Sequence, residues 1–205
     1  MIMDTTYNYS LNFDIKKRKS KEIKFIIFHY TGMQKEIEAI KKLTQFKSKV
    51  SCHYFVKKNG EILTMVPDLY TAWHAGVSKW KNIKSINKNS IGIEISNSGH
   101  NYKYTNFTKK QIKSVLKLSR YLIDKYKINS KFILGHSDIA PDRKIDPGEK
   151  FPWQRLSTHN LGKWYKDDLS KIQVNKKKIE LLFFKNLKKL GYRYFNIHKR
   201  NFTDK

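Results

Sequence analysis

Cysteine is almost absent: Cys52 is the single one in 205 residues. No intramolecular disulfide can form, and there is no cysteine-rich metal motif. Long apolar runs are missing too. Stretches such as Phe25-Ile26-Ile27-Phe28 fall far short of a membrane span. The opening MIMDTTYNYSLNFDIKKRK has no apolar core of signal-peptide length, so a soluble cytoplasmic protein is expected, with a periplasmic one as the alternative. Acidic residues are scarce, 17 Asp and Glu against 43 Lys and Arg, for a net charge of +26. Such a surface attracts polyanions: nucleic acid, acidic lipid or a carboxylate-bearing polymer. Arginine is itself a small minority of the cations. Base readers lean on arginine forks, which argues against specific nucleic-acid recognition. Aromatics are not scarce; at 14% they indicate a folded core rather than a disordered chain.

Residues 1–20 are polar, end in a basic cluster and read as an N-terminal arm. From Glu22 to Tyr30 the chain turns β-branched and aromatic, as a buried strand does. Residues 34–47 carry Ile37, Ile40 and Leu43 at helical spacing. In HYFVKKNGEILTMV the Asn59-Gly60 step between apolar runs predicts a hairpin. Ile91 to Ser96 alternates as a strand. Thr108 to Tyr126 predicts a helix: Thr108 and Gln111 make a capping box, and Ile112, Val115, Leu116, Leu122 and Ile123 share a face. A strand over Lys131–Leu134 follows. Pro141, Pro147 and Pro152 mark a rigid loop. The fold class is α/β, a central mixed β-sheet flanked by helices. Residues 21–165 form the main domain and 166–178 a linker. Residues 179–205 form a short basic helical tail with Ile179, Leu182, Phe183, Leu187 and Leu190 on one face and a stop at Gly191.

Two of the seven histidines close apolar strands, His29 in KFIIFH and His136 in KFILGH. Strand ends are where open α/β sheets place their sites. The segment GHSDIAPDRKIDPG then adds Asp138, Asp142, Lys144 and Asp146 on a proline-stiffened loop. Two imidazoles and one carboxylate make a zinc set that leaves a fourth position open. The spacing is not that of a helical HExxH site, so strand and loop groups would hold the metal. A strand-end histidine is as often a packing residue, and many loops hold Asp and Lys without binding metal.

HYT at 29–31, SCHYFVKKNGEI at 51–62, AWHAG at 72–76, IGIEISN at 91–97 and GHSDIAPDRKIDPG at 135–148 occur in that order. Together they resemble the zinc-dependent N-acetylmuramoyl-L-alanine amidase family, which includes AmpD-like enzymes and peptidoglycan recognition proteins. The resemblance spans roughly residues 21–165. It implies one Zn2+ per chain, held by His29, His136 and Asp146, with aspartate at the third position as in the AmpD-like branch. It implies cleavage of the amide between N-acetylmuramic acid and L-alanine in peptidoglycan or muropeptides. Glu94, on the face of its strand shared with Gly92 and Ser96, is the expected general base. Lys144 is the expected oxyanion-stabilising cation. Trp73, His74, Ala75 and Asn97 are expected to border the substrate, and His53 to be structural. The alternative on the same fold is a non-catalytic peptidoglycan-binding protein, which the complete ligand set disfavours. LKKLGY in the tail is similar to the opening of a peptidoglycan-binding module; a helix packed on the domain is the other reading. No nucleic-acid partner, membrane span or oligomeric state is read from the sequence.

Overall fold

The computed structural model describes residues 3–165 and 176–195. Most of the expected linker, residues 166–175, and His198 lie outside them. Among the described residues there are ten strands: β1 (Thr6–Tyr7), β2 (Phe13–Asp14), β3 (Phe25–Tyr30), β4 (Tyr54–Val56), β5 (Ile62–Thr64), β6 (Thr71–Ala72), β7 (Lys79–Trp80), β8 (Ile83–Lys84), β9 (Ser90–Ile95) and β10 (Ile133–Gly135). The helices are α1 (Glu36–Thr44), α2 (Lys109–Tyr126), the single turn α3 (His136–Ile139), α4 (Trp153–Thr158) and α5 (Lys176–Leu190).

Six strands form a mixed sheet in the order β1-β5-β4-β9-β3-β10. Strands β4, β9, β3 and β10 are parallel, and β5 runs antiparallel to β4. This is the expected α/β architecture. The β4–β5 hairpin closes through Asn59-Gly60, where Gly60 N–H donates to the Lys57 carbonyl at 2.9 Å. On β9, Ile91, Ile93 and Ile95 all point into the larger core, against Ile112, Val115, Leu118 and Leu122 of α2. The other face of β9 is thereby reserved for Gly92 and Glu94.

Helix α2 begins as its capping box predicts. Thr108 Oγ1 accepts from Gln111 N–H at 3.1 Å, and Gln111 Oε1 accepts from Thr108 N–H at 2.9 Å. In α1 the buried stripe is Ala39, Ile40 and Leu43, while Ile37 is 69% exposed. The last strand starts later than expected, at Ile133, because the Asn129 side chain caps a 3-10 turn over Ser130–Phe132.

The N-terminal segment lies along the sheet. Strand β1 pairs with β5, and β2 with β6. Arg18 is buried, donating to the carbonyls of Asp68, Asn87 and Lys88. The tail helix α5 departs from expectation in its contacts. Ile179, Leu182, Phe183 and Leu190 are exposed, and among the helix's described side chains Phe184 is the buried one. Docking falls instead to residues just beyond the helix.

Candidate metal centre and its cavity

Register brings the site together. On β3 and β9, His29 and Glu94 are direct partners across parallel strands. On β10 and β3, Gly135 partners Phe28, so His136, the next residue, arrives beside His29. Phe28 belongs to the larger core, and strand alternation turns His29 to the opposite face. The loop after α3 returns Asp146, secured where Ser137 N–H donates to the Asp146 carbonyl at 2.9 Å. All three side chains meet at the carboxyl ends of parallel strands, where α/β sheets bind ligands.

Three ligand atoms converge. His29 Nδ1 lies 2.9 Å from His136 Nδ1 and 3.0 Å from Asp146 Oδ2, and His136 Nδ1 lies 3.1 Å from that same oxygen. All three residues are buried. The ring protons can be placed by following the hydrogen bonds outward. His136 Nε2 faces the Ala75 carbonyl at 3.1 Å, which only accepts, so Nε2 carries the proton. His29 Nε2 faces His74 Nδ1 at 2.9 Å, and His74 Nε2 faces Ser90 Oγ at 3.0 Å. Ser90 Oγ donates its own proton to the Ile86 carbonyl at 2.8 Å. Ser90 therefore accepts from His74, and His74 Nδ1 accepts from His29.

With Nε2 assigned as the outward donor in both rings, the two Nδ1 atoms face each other and a carboxylate oxygen. Burial, reinforced by the nearby His136, holds the His29 imidazole down at about 4, so it is neutral at pH 7. Three converging lone pairs repel unless a cation lies between them. The donor set, two imidazoles and one carboxylate, is that of an open zinc site.

The AWHAG segment stands behind this cluster. Its consecutive residues His74 and Ala75 accept the distal N–H of the two histidines. Both of their own backbone N–H groups donate to Asn87 Oδ1, at 3.1 and 2.7 Å. Arg143 Nη2 donates to the Ala75 carbonyl at 2.7 Å, and Arg143 Nε to the Val77 carbonyl at 3.1 Å. Gly92 makes room for this arrangement, since a Cβ there would collide with the His74 ring.

A cavity of about 520 Å³ opens in front of the cluster, lined among others by Trp73, His74, Glu94 and Lys144. Glu94 Oε2 is buried and has no hydrogen-bond partner among the described residues. Burial, with the Asp146 charge adding, raises the Glu94 carboxyl well above its usual range, and Lys144 and Lys42 pull the other way. Trp73 sits on the wall with its indole N–H donated to Asp14 Oδ1 at 2.8 Å. His74 touches the cavity, but both its ring nitrogens are engaged within the protein. Ala75 is buried and turned to His136.

Asn97, expected to border the substrate, is not among the residues that line the cavity. It is buried outside the cavity, its amide N–H donated to the Thr105 carbonyl at 2.9 Å and its Oδ1 accepting from Gly99 N–H at 3.1 Å. His53 is buried, with Nδ1 accepting from Gly92 N–H at 3.0 Å.

Asn87, Ser90 and Arg143 were not singled out by sequence. Asn87 sits in SINKNS, in a chain rich in Asn and Lys, and has no local signal. Arg143 had one. Arginine is rare here, and Arg18 and Arg143 both use their forks to gather several carbonyls, a task lysine cannot perform.

The model of the N-acetylmuramoyl-L-alanine amidase family matches residues 19–149. The chain is 36% identical over 154 residues to the N-acetylmuramoyl-L-alanine amidase AmiD of Escherichia coli K12, covering 69% of this chain and 55% of AmiD. It is 43% identical over 108 residues to the 1,6-anhydro-N-acetylmuramyl-L-alanine amidase AmpD of the same organism, covering 53% of this chain and 57% of AmpD. The chain thus spans little more than half the length of these relatives. The fold is similar to that of E. coli AmiD in complex with anhydro-N-acetylmuramic acid-L-Ala-D-gamma-Glu-L-Lys. That match has a TM-score of 0.74 and 32% identity, and covers 89% of this chain and 75% of the other.

Proposed function

The chain belongs to the N-acetylmuramoyl-L-alanine amidase family, and we propose that it hydrolyses the amide joining N-acetylmuramic acid to L-alanine in peptidoglycan fragments, using one zinc ion held by His29, His136 and Asp146. The observation that carries this reading is the convergence of two histidine Nδ1 atoms and one carboxylate oxygen at 2.9 to 3.1 Å. A non-catalytic binding module would have no need of such a cluster.

When bound, zinc supplies Lewis-acid chemistry, polarising the scissile carbonyl and making water nucleophilic near pH 7. The chain's own residues do the rest. Glu94, across the strand pair from His29, takes a proton from the attacking water. Its raised affinity for a proton suits that task and the return of the proton to the departing amide nitrogen. Water's oxygen bonds to the carbonyl carbon, the C–N bond breaks, and the stem peptide leaves with a free L-alanine amine. Lys144, on the same cavity wall, stabilises the negative charge on the carbonyl oxygen. Trp73 offers a flat wall for the sugar or peptide.

Muropeptides carry carboxylates, and Lys42, Arg143 and Lys144 all line the cavity. AmpD is named for an anhydro-muramyl substrate, and the AmiD complex holds one. Both support soluble muropeptides as the substrate class. Residues 21–165 form the catalytic unit, with the N-terminal strands against it. No helix among the described residues is long and apolar enough to cross a membrane.

The test is product analysis. Muropeptides incubated with the zinc-loaded protein should yield a muramyl sugar and a free peptide beginning with L-alanine. Retention of muropeptide without cleavage would leave only the binding-module reading.

A further inference from the structure

Beyond α5 the chain folds back onto the catalytic unit through the four residues Gly191-Tyr192-Arg193-Tyr194. Lys81 N–H donates to the Gly191 carbonyl at 2.8 Å. Gly191 takes φ of +151°, and any side chain there would collide with the Trp80 indole. The Tyr192 ring meets Trp80 edge-on, centroids 4.9 Å apart and planes at 68°.

The two tyrosine hydroxyls end on one element. Tyr192 OH donates to Asp138 Oδ1, and Tyr194 OH donates to the Ile139 carbonyl at 2.8 Å. Asp138 and Ile139 are the last two residues of α3, whose first residue is His136. Asp138 uses its other oxygen to accept Gly135 N–H at 2.8 Å, which fixes the start of the same turn. The second residue of α3, Ser137, is bonded to the backbone of Asp146.

A single helical turn has almost no stability of its own, because nucleation costs more than one turn returns. The orientation of α3 is therefore set by what grips it. Ile139 anchors its far end in the smaller core, and the side-chain hydrogen bonds that hold that end come from Tyr192 and Tyr194.

We propose that Tyr192 and Tyr194 are positioning residues for the metal centre: by holding α3 they aim His136 Nδ1 and keep Asp146 in reach of it. The tail is then a clasp on the site. This inference rests on the zinc reading of His29, His136 and Asp146. It asks for no wall-binding role from residues 191–194, whose polar contacts are spent on the protein itself.

The experiment uses the full chain and reads zinc affinity by competition with a chromophoric chelator. Tyr192→Phe keeps the ring on Trp80 and removes only the hydroxyl; Tyr194→Phe does the same at the second bond. Outer-sphere partners of metal ligands typically govern about 10- to 100-fold in affinity. These bonds act one step further out, so about tenfold is expected for each. The cobalt-substituted protein should show a shifted visible spectrum in both variants.

Tyr102→Phe, at an exposed position, should match wild type. Because Tyr192 acts through Asp138, adding Tyr192→Phe to Asp138→Asn should cost little more than Asp138→Asn alone. Thermal melting of the metal-free variants separates folding from positioning. Wild-type zinc affinity and cobalt spectrum in both tyrosine variants would overturn the clasp, as would a lower melting temperature with unchanged affinity. If wild type itself binds no zinc, it is the metal reading that fails.

Discussion

His29 Nε2 lies 2.9 Å from His74 Nδ1, and His74 can only be the acceptor, because its own Nε2–H is committed to Ser90. One hydrogen bond thereby fixes which nitrogen of His29 is bare and turns it to His136 and Asp146. Replacing His74 with Ala should weaken zinc binding by about 10- to 100-fold, the usual cost of losing such a partner. Chelator competition measures this directly. A substrate contact would behave otherwise, with a higher KM at unchanged zinc affinity, and that result would return His74 to the substrate.

Glu94 shares register with His29 yet leaves Oε2 unpartnered in the cavity. Glu94→Gln preserves the shape and removes the base. The variant should keep its zinc and lose about 10²- to 10⁴-fold in kcat, the range general-base catalysis supplies. Turnover and metal content measured on one sample decide it. Near-native kcat would remove Glu94 from the chemistry.

Three histidines share a direction of shift. Burial lowers His29 to about 4, His53 to about 3 with Arg18 assisting, and His74 well below its usual range. In the unfolded chain each takes a proton near pH 6.5. Between that pH and the folded value the unfolded state binds more protons, so stability falls as pH falls. The metal-free protein should lose up to about 1.4 kcal/mol per pH unit for each such group as pH drops from 6.5 toward 4. Urea midpoints at pH 7, 6 and 5 test this. A flat profile would show that these imidazoles are not held neutral.

The parts legible in the sequence were those decided by neighbours along the chain. Thr108 and Gln111 announced the start of α2, Asn59-Gly60 announced the hairpin, and alternation put Glu94 on the face opposite three isoleucines. The strand-end positions of His29 and His136 were visible because each closes an apolar run. What stayed hidden depends on partners far along the chain. The distal N–H groups of His29 and His136 find His74 and Ala75 at separations of 45 and 61 residues. No local pattern records that the AWHAG segment faces inward to the histidines. Asn97 follows the Glu94 strand, and its amide donates to a loop carbonyl at Thr105 that no local pattern announces. Amphipathic spacing identified α5, yet its contact with the domain passes through Tyr192 and Tyr194, which that pattern does not include.

The central claim is that His29, His136 and Asp146 hold a zinc ion on which amide cleavage depends. Stem-peptide release from a muropeptide, followed for native protein, chelator-treated protein, the treated protein after zinc is restored, and Asp146→Ala, tests it most directly. Release is expected from the native and restored samples, with a loss of at least about 10³-fold in the other two, the scale of removing an essential catalytic group. Cleavage that survives both chelation and Asp146→Ala would contradict it.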